Sequence, residues 1–431
     1  MRPPYVFHLL AVLLLSPVGK ISHAIPNTFI GGGNFFGPVI PAQPVFGRDL
    51  TRDFFEAKNW DGDKFPGPWR EETSLGTQTV KRMTANPTLF GAIPMAVYAY
   101  SDEESHTDEI AIHFLDAGIY FGYQFGGETN RDERSAGAEK RSTFNKHYRE
   151  LSADLRQRLD QGCGRGSVGS IGRSNELRTV FTQYQWEDFI LRLVTRPEHS
   201  VSIYIHRKGH LPDSFVEPEI AKLADREKAD FFSSKVSRTD YGDVLIEGLP
   251  MFRQGNTPFC GIHSLAMASH YLGLRVHPET LAAGAEFKNT GSAKGSQIID
   301  LYRGVGEEID MRVSTSPKFD LRRAKRSIEA GIPIVVWRRV SRERELAHNE
   351  FLKAFSEDPT LTIGKPDTSI IATYPPRSAK GSPSHASVIT GFNEERNEVI
   401  FTEPWGEFSR NRRMRIEEME ATAYALFYFK I

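Results

Sequence analysis

The sequence predicts an α+β chain built in two modules, and three observations lead there. From residue 246 onward helix signals come first and strand signals later, as in a helical lobe set against an antiparallel sheet with a cleft between them. Residues 76–215 hold several short β-branched or aromatic runs and one long charged helix, a separate and mostly antiparallel α+β module. A chain of 431 residues is long enough for two or three domains and at least one full core. The predicted boundaries are a signal peptide over 1–24, a Gly/Pro/aromatic-rich arm over 25–75, the accessory domain over 76–215, a helical linker over 216–245 and the helix-then-sheet domain over 246–431.

Met1-Arg2 and the apolar run Val6 to Leu15 read as the first two regions of an export signal. Ser22-His23-Ala24 then places small residues at the −3 and −1 positions of a cleavage site. The apolar run is too short to span a bilayer, so a cleaved signal and a secreted or periplasmic protein are expected, with no integral membrane segment afterwards. Gly31 to Gly37, then Pro41 and Pro44, sustain no period, so 25–75 is expected to lie as an extended arm over the surface of the accessory domain.

Pro94–Tyr100, Ile110–Leu115 and Ile119–Phe125 read as three antiparallel strands, with Asp116-Ala117-Gly118 as a hairpin turn between the last two. Thr143–Leu159 is a helix with Tyr148, Leu151, Leu155 and Leu159 on one stripe, and Asp188–Thr195 and Val201–His206 add two strands. Gly162–Gly169 lacks the Gly-Lys-Ser/Thr ending of a phosphate-cradling loop and reads as a flexible loop. His113, His147 and His206 are too scattered for a metal site, and no spacing in the chain implies a metal or an organic cofactor. Glu217–Phe232 reads as the linker helix.

In the last domain, helices are predicted from Pro278, over Ser296–Arg303, from an Asp320 cap to Gly331, and over the charged stretch Arg342–Phe355; a strand is predicted over Ile309–Val313. Residues 340–382, which end in a Pro375-Pro376 loop just before His385, are either a flap over the cleft or a solvated insertion. Arg410–Arg415 has no interleaved aromatics and reads as a solvated turn; Tyr424–Lys430 alternates as a strand closing the sheet. A formal net charge of −1 gives no reason to expect nucleic acid or an anionic membrane as partner.

One stretch carries chemistry. Gln254-Gly255-Asn256-Thr257-Pro258-Phe259-Cys260-Gly261 leads into a helix on which Leu265, Ala268 and Leu272 recur at helical spacing before Gly273. A cysteine at a helix N-terminus meets unpaired N–H groups and the positive end of the macrodipole, both of which favour thiolate. Gln254, six residues upstream, can aim an amide N–H at an attacked carbonyl. His385 opens the β-branched segment Ala386 to Gly391, where a sheet would position it as a base. Glu403 ends the next strand candidate, Val399–Thr402, and can fix the imidazole tautomer. His263 and His270, on the same helix as Cys260, read as structural or cleft-lining.

These residues resemble the papain-like cysteine peptidases of the bacteriocin-leader-processing (double-glycine peptidase) type and their stand-alone relatives. The matching positions over 246–431 are Gln254, Cys260-Gly261, His385 with Val388 to Gly391, Glu403-Pro404, and Pro333–Trp337 as a central strand. Glu403 departs from the Asp or Asn usual in that family, and the stretch between Trp337 and His385 is expanded. The resemblance implies a papain-like fold, a peptide or protein substrate, Cys260 as nucleophile, His385 as base and acid, Glu403 as orienter, and Gln254 with the Cys260 backbone N–H as oxyanion donors. Two other readings stay open: a papain-like binding module with little or no activity, and a thiol acyltransferase or amidase on the same fold. The only two cysteines, Cys163 and Cys260, would in an exported chain be able to pair, and a bridge would leave Cys260 without chemistry.

Overall fold

The computed structural model describes residues 48–431 apart from 63, 76–77, 103, 123–130, 256, 258, 288–294, 368, 370 and 372–383. The expected signal peptide, the first part of the arm, the end of the Ile119–Phe125 strand and the Pro375-Pro376 loop lie outside the described residues. The described part is mixed α+β, organised on two eight-stranded sheets.

The first sheet comprises β1 (Trp69–Leu75), β2 (Gln78–Met83), β3 (Ala96–Ser101), β4 (Thr107–Asp116), β5 (Ser167–Ile171), β6 (Thr179–Trp186), β7 (Phe189–Arg196) and β8 (Ser200–Arg207). Their spatial order is β1-β2-β3-β4-β8-β7-β6-β5, antiparallel throughout. Period-2 alternation buries both faces. Ile110, Ile112 and Phe114 of β4 enter one core with Phe54, Trp60, Phe144 and Leu155, while Ala111 enters a second core shared with the C-terminal half. The first core is covered by a 3-10 turn (Thr51–Phe55), α1 (Ala57–Trp60), α2 (Ala117–Phe121) and α3 (Arg131–Cys163).

Three expectations for this region are corrected. The supposed arm is integral from residue 48 on: β1 pairs with β2, and Phe54, Trp60 and Phe65 are buried because the first sheet offers them an apolar face. Asp116 opens no hairpin; its carboxylate accepts from the Ile119 N–H at 2.8 Å and starts α2 instead. Gly162–Gly169 is not a loose loop, since β5 begins at Ser167 and Gly166 and Gly169 make room for the rings of Tyr184 and Phe181.

The second half continues with α4 (Pro218–Ala221), α5 (Asp225–Ser233), β9 (Val236–Arg238), β10 (Asp243–Ile246), α6 (Cys260–Tyr271), α7 (Pro278–Gly284) and α8 (Gly295–Glu308). The expected linker helix is thus two pieces, the second begun where Glu227 accepts from the Ala224 N–H at 2.8 Å. Then come β11 (Arg312–Ser316), α9 (Leu321–Glu329), β12 (Ile334–Arg339), α10 (Arg342–Glu357), β13 (Ser384–Asn393), β14 (Glu398–Thr402), β15 (Arg412–Arg415), α11 (Ile416–Thr422) and β16 (Ala423–Lys430). β11 starts three residues later than expected because Asp310 turns the chain in a left-handed conformation, φ 56°. Asp320 does cap α9, accepting from the Arg323 N–H at 2.8 Å; Gly331 (φ +72°) follows its end against the Phe232 carbonyl, where no Cβ would fit. The second sheet runs β11-β16-β12-β13-β10-β9, with β14 on β13 and β15 on β14. β16 therefore lies inside the sheet, and β11 forms the edge.

The halves meet along a buried polar seam as well as the shared apolar core. His277, at the start of α7, contacts Glu109 of β4 at 2.6 Å and the Tyr100 hydroxyl at 2.9 Å. His206 sits 3.6 Å from Glu109, and His113 sits 3.7 Å from Glu279. Burial holds several histidines neutral: His199 and His206 are pulled down to about 4, His270 to about 3.

This burial predicts acid lability. In the unfolded chain those histidines bind protons below their ordinary pKa of about 6.5, whereas in the fold they do not until their depressed values, so stability present above 6.5 is lost as pH falls through about 4. Asp116, raised to about 7 by burial, and Asp108, raised by burial as well, oppose this. Scanning calorimetry from pH 7 to pH 4 should show the melting temperature falling by several degrees, and His206→Gln should flatten that slope.

Candidate active site

Cys260 is the first residue of α6 and stays partly exposed, while Gly261 through Ser269 behind it are buried. The helix is therefore enclosed on all sides rather than presenting one apolar face. Its N-terminus is drawn against β12 because Gly261 has no side chain: any Cβ there would overlap the Trp337 indole. Tyr302 donates to the Gly261 carbonyl at 3.3 Å, and the Trp337 indole N–H donates to the Tyr302 hydroxyl at 3.4 Å. One turn on, the Ser264 hydroxyl donates to the Ala386 carbonyl at 2.9 Å, which ties the cysteine helix to the residue after His385. Phe259, the residue before Cys260, packs on Phe287 and covers Gly118 of α2, where a Cβ would strike its ring.

His385 lies near the start of β13, cross-strand from Arg338 of β12. Its Nε2 is 2.7 Å from a Glu403 carboxylate oxygen, and its ring packs on Trp405 with centroids 4.8 Å apart. With Nε2 facing Glu403, the other ring nitrogen is left for the Cys260 thiol, to which His385 is hydrogen-bonded. Burial disfavours the imidazolium, yet the Glu403 charge and the Cys260 contact outweigh it and push His385 up to about 10. Burial likewise disfavours the Cys260 thiolate, but the His385 hydrogen bond and charge, with help from the Ala386 and Gly261 backbone, bring its pKa below the ordinary thiol value. Both shifts act in the same sense, toward negative charge on the sulfur and positive charge on the ring.

Glu403 follows β14 with no solvent exposure. Burial alone would raise its pKa; the charges of His385 and Arg338 instead lower it to about 2. Its oxygens meet Arg338 Nη2 at 2.5 Å, Arg412 Nη1 at 3.3 Å and the Ser387 hydroxyl at 2.8 Å. The extra methylene of Glu over Asp or Asn is taken up inside this set of donors. Arg412 belongs to the run expected to be a solvated turn. The run is instead β15, with Arg412 and Arg413 buried, because carboxylates wait for them: Glu403 and Glu345 for Arg412, Asp243 and Glu398 for Arg413.

Gln254 is held near this end of the sheet by its backbone N–H, which donates to the Pro404 carbonyl at 2.8 Å. One hydrogen of its amide is committed to the Thr257 carbonyl at 2.6 Å, and its Oε1 is buried without a partner among the described residues. The second amide hydrogen has no acceptor among the described residues. Gly391, expected as the exit of the His385 strand, lies within β13 and lets the Val244 carbonyl of β10 approach. The charged helix α10 is not a free flap, since Glu345 on it reaches both Arg338 and Arg412.

The residues that sequence reasoning missed are Arg338, Ser387, Trp405 and Arg412. Ser387 and Arg338 could have been found from the strand alternation, as the positions beside His385 on β13 and opposite it on β12, had the register been known. Cys163 and Cys260 are both free thiols, Cys163 packing at the edge of the first core. Among the described residues no group of three or more His, Cys, Asp or Glu could hold a metal ion.

Residues 246–430 match the family described as Peptidase_C39 like family. That stretch is a C39-like peptidase-family domain. A crystal structure from Bacillus anthracis, described as a C39-like peptidase, aligns at 17% identity over 44% of this chain and 98% of that chain, with a TM-score of 0.31. No curated protein matches the chain. Within the C39-like domain, no helix among the described residues is long and apolar enough to cross a membrane, and the same holds for the rest of the chain described.

The two thiols provide an internal comparison. Burial raises the Cys163 pKa, whereas the Cys260 pKa is lowered. Iodoacetamide at pH 6, read by peptide mass spectrometry, should alkylate Cys260 at least about tenfold faster than Cys163, because the thiolate is the reacting form.

Proposed function

We propose that the chain is a cysteine peptidase that hydrolyses peptide bonds on a papain-like fold. The observation that carries this reading is the contiguous line of Cys260, His385 and Glu403, with the imidazole between a thiol and a buried carboxylate. The C39-like match over 246–430 supports the same class of reaction.

The steps follow from the charges. The Cys260 thiolate attacks the carbonyl carbon, an S–C bond forms, and the C=O π pair moves to oxygen. The Cys260 backbone N–H and the uncommitted amide hydrogen of Gln254 stabilise that oxyanion. As it collapses, the C–N bond breaks and the His385 imidazolium gives its proton to the departing nitrogen, leaving a thioester and a free amine. Neutral His385 then takes a proton from water, the hydroxide adds to the thioester carbon, and the acid leaves as the thiolate is restored. Glu403 stays ionised throughout and keeps Nε2 of the imidazole occupied. Trp405 shields the His385–Glu403 contact on one side, where water would weaken it.

In this reading β2 to β8 of the first sheet belong to an accessory domain over 76–215, with β1 joining them from the preceding stretch, and residues 1–24 direct the chain to an extracytoplasmic compartment. The leader-processing subtype is one form the substrate can take; an amine in place of water at the last step would make the protein an acyltransferase.

Purified full-length chain incubated with denatured casein should release peptides, and Cys260→Ala should lower that rate by about a thousandfold or more. Glu403→Gln should lower it by roughly a hundredfold to ten-thousandfold, through loss of imidazole orientation and charge. A Cys260→Ala protein that cleaves as fast as the wild type would overturn the assignment.

A further inference from the structure

The charges around Glu403 are more numerous than an orienting carboxylate needs. Arg338 comes from β12, Arg412 from β15 and Ser387 from β13, each in contact with the same carboxylate. A second carboxylate, Glu345 on α10, closes the ring: it accepts from Arg338 at 2.8 Å and from Arg412 at 2.7 Å, and its backbone carbonyl accepts from Arg412 at 2.8 Å. Arg338 and Arg412 are each at most 2% exposed, so water screens little of this. Beyond the ring, His348 on α10 lies 3.8 Å from Glu345, and Glu418 on α11 is paired with Arg344 and lies 3.1 Å from His348. On its other side the ring meets His385 and, through it, Cys260.

We infer that Arg338 and Arg412, with Glu345 as their counter-charge, are positioning residues that fix the protonation of the Cys260–His385 pair through Glu403. The inference rests on the thiolate–imidazolium reading of that pair and extends it to the residues that set it.

The physical reason is a charge balance. A buried carboxylate alone beside an imidazolium would tend to take its proton, leaving neutral acid and neutral base. Two guanidiniums hold Glu403 ionised, so the proton stays on His385. With Arg338, Arg412 and Glu403 alone, the ring would carry a net positive charge and would work against the imidazolium. Glu345 cancels that excess. His348 is held neutral by burial, and Glu418 is held ionised with a pKa of about 2 chiefly by the His348 and Arg344 contacts that outweigh its burial, so neither alters the balance near neutral pH. The ring is thus neutral as a whole but polar across its width, with a negative oxygen turned toward His385.

Arg412→Gln leaves one uncompensated negative charge and Glu345→Gln one uncompensated positive charge. A nearby negative charge raises the pKa of a thiol and a positive one lowers it. The experiment is the pH dependence of iodoacetamide alkylation at Cys260 in the full-length chain, read at the Cys260 peptide with Cys163 as reference. The midpoint should move up by about one pH unit in Arg412→Gln and down by about one in Glu345→Gln. It should return toward the wild-type value in the double variant and stay there in Arg412→Lys, which keeps the charge. A ring that serves only to hold the fold would change the melting temperature while leaving the midpoints alone, or would move both single variants in one direction; either result overturns the inference. If Arg412→Gln does not fold, Glu345→Gln and Arg412→Lys still decide, since the first must lower the midpoint and the second must not move it. The wild-type curve separately tests the proposed function: a Cys260 midpoint no lower than that of Cys163 removes it, whatever the variants do.

Discussion

A carboxylate without solvent, Glu403, is the constraint around which the second half of this protein is arranged. An isolated buried charge costs several kcal/mol, and stripping one partner from a buried pair typically costs about 3–5 kcal/mol. The fold meets that cost by bringing donors from β12, β13 and β15 to a single point. Along the chain α10 lies between β12 and β13, and β14 between β13 and β15, so the carboxylate is satisfied only once β13 has paired with β12 on one side and β14 with β15 on the other. Sheet assembly and site electrostatics are the same event here. A second tie, from Ser264 to the Ala386 carbonyl, brings the cysteine helix into register with that sheet.

Much of this was legible in the residues, and the part that was not has a common cause. Cys260 at a helix start, His385 at a strand start and Glu403 after the next strand are local signals: each depends on a cap, a β-branched run or a chain reversal within a few residues. The sequence pattern also anticipated the capped helix from Asp320 and the strands over Asp188–Thr195 and Val201–His206. What it did not reveal are pairings made across long separations. Arg410–Arg415 looks solvated because its carboxylate partners lie as far away as Asp243 and Glu345. Arg338 looks like the polar end of a strand until the register sets it opposite His385. The misread turn at Asp116 is a different failure, since an Asp before Ala-Gly can cap a helix as readily as it can open a hairpin, and the choice is made by packing.

The insertion between β12 and β13 changes meaning in the same light. A charged, expanded stretch just before His385 reads in sequence as either a cover over the cleft or a solvated insertion. Its helix, α10, instead sends Glu345 inward to two buried arginines and buries His348 beside Glu418. That helix is part of the wall of the site. The first sheet is similarly committed, because its inner face shares a core with α6, α7 and α8 and its polar seam meets His277 and Glu279.

The fit between Gly118 and Phe259 has a consequence for how such a chain can change over generations. The ring of the residue just before the sulfur occupies the space that any side chain at position 118 would need. A larger residue at 118 is tolerable only if position 259 shrinks in compensation, and a smaller one at 259 opens a void under α2. The two halves are therefore fitted to each other at this point, and a change of size on one side of the contact must be answered on the other.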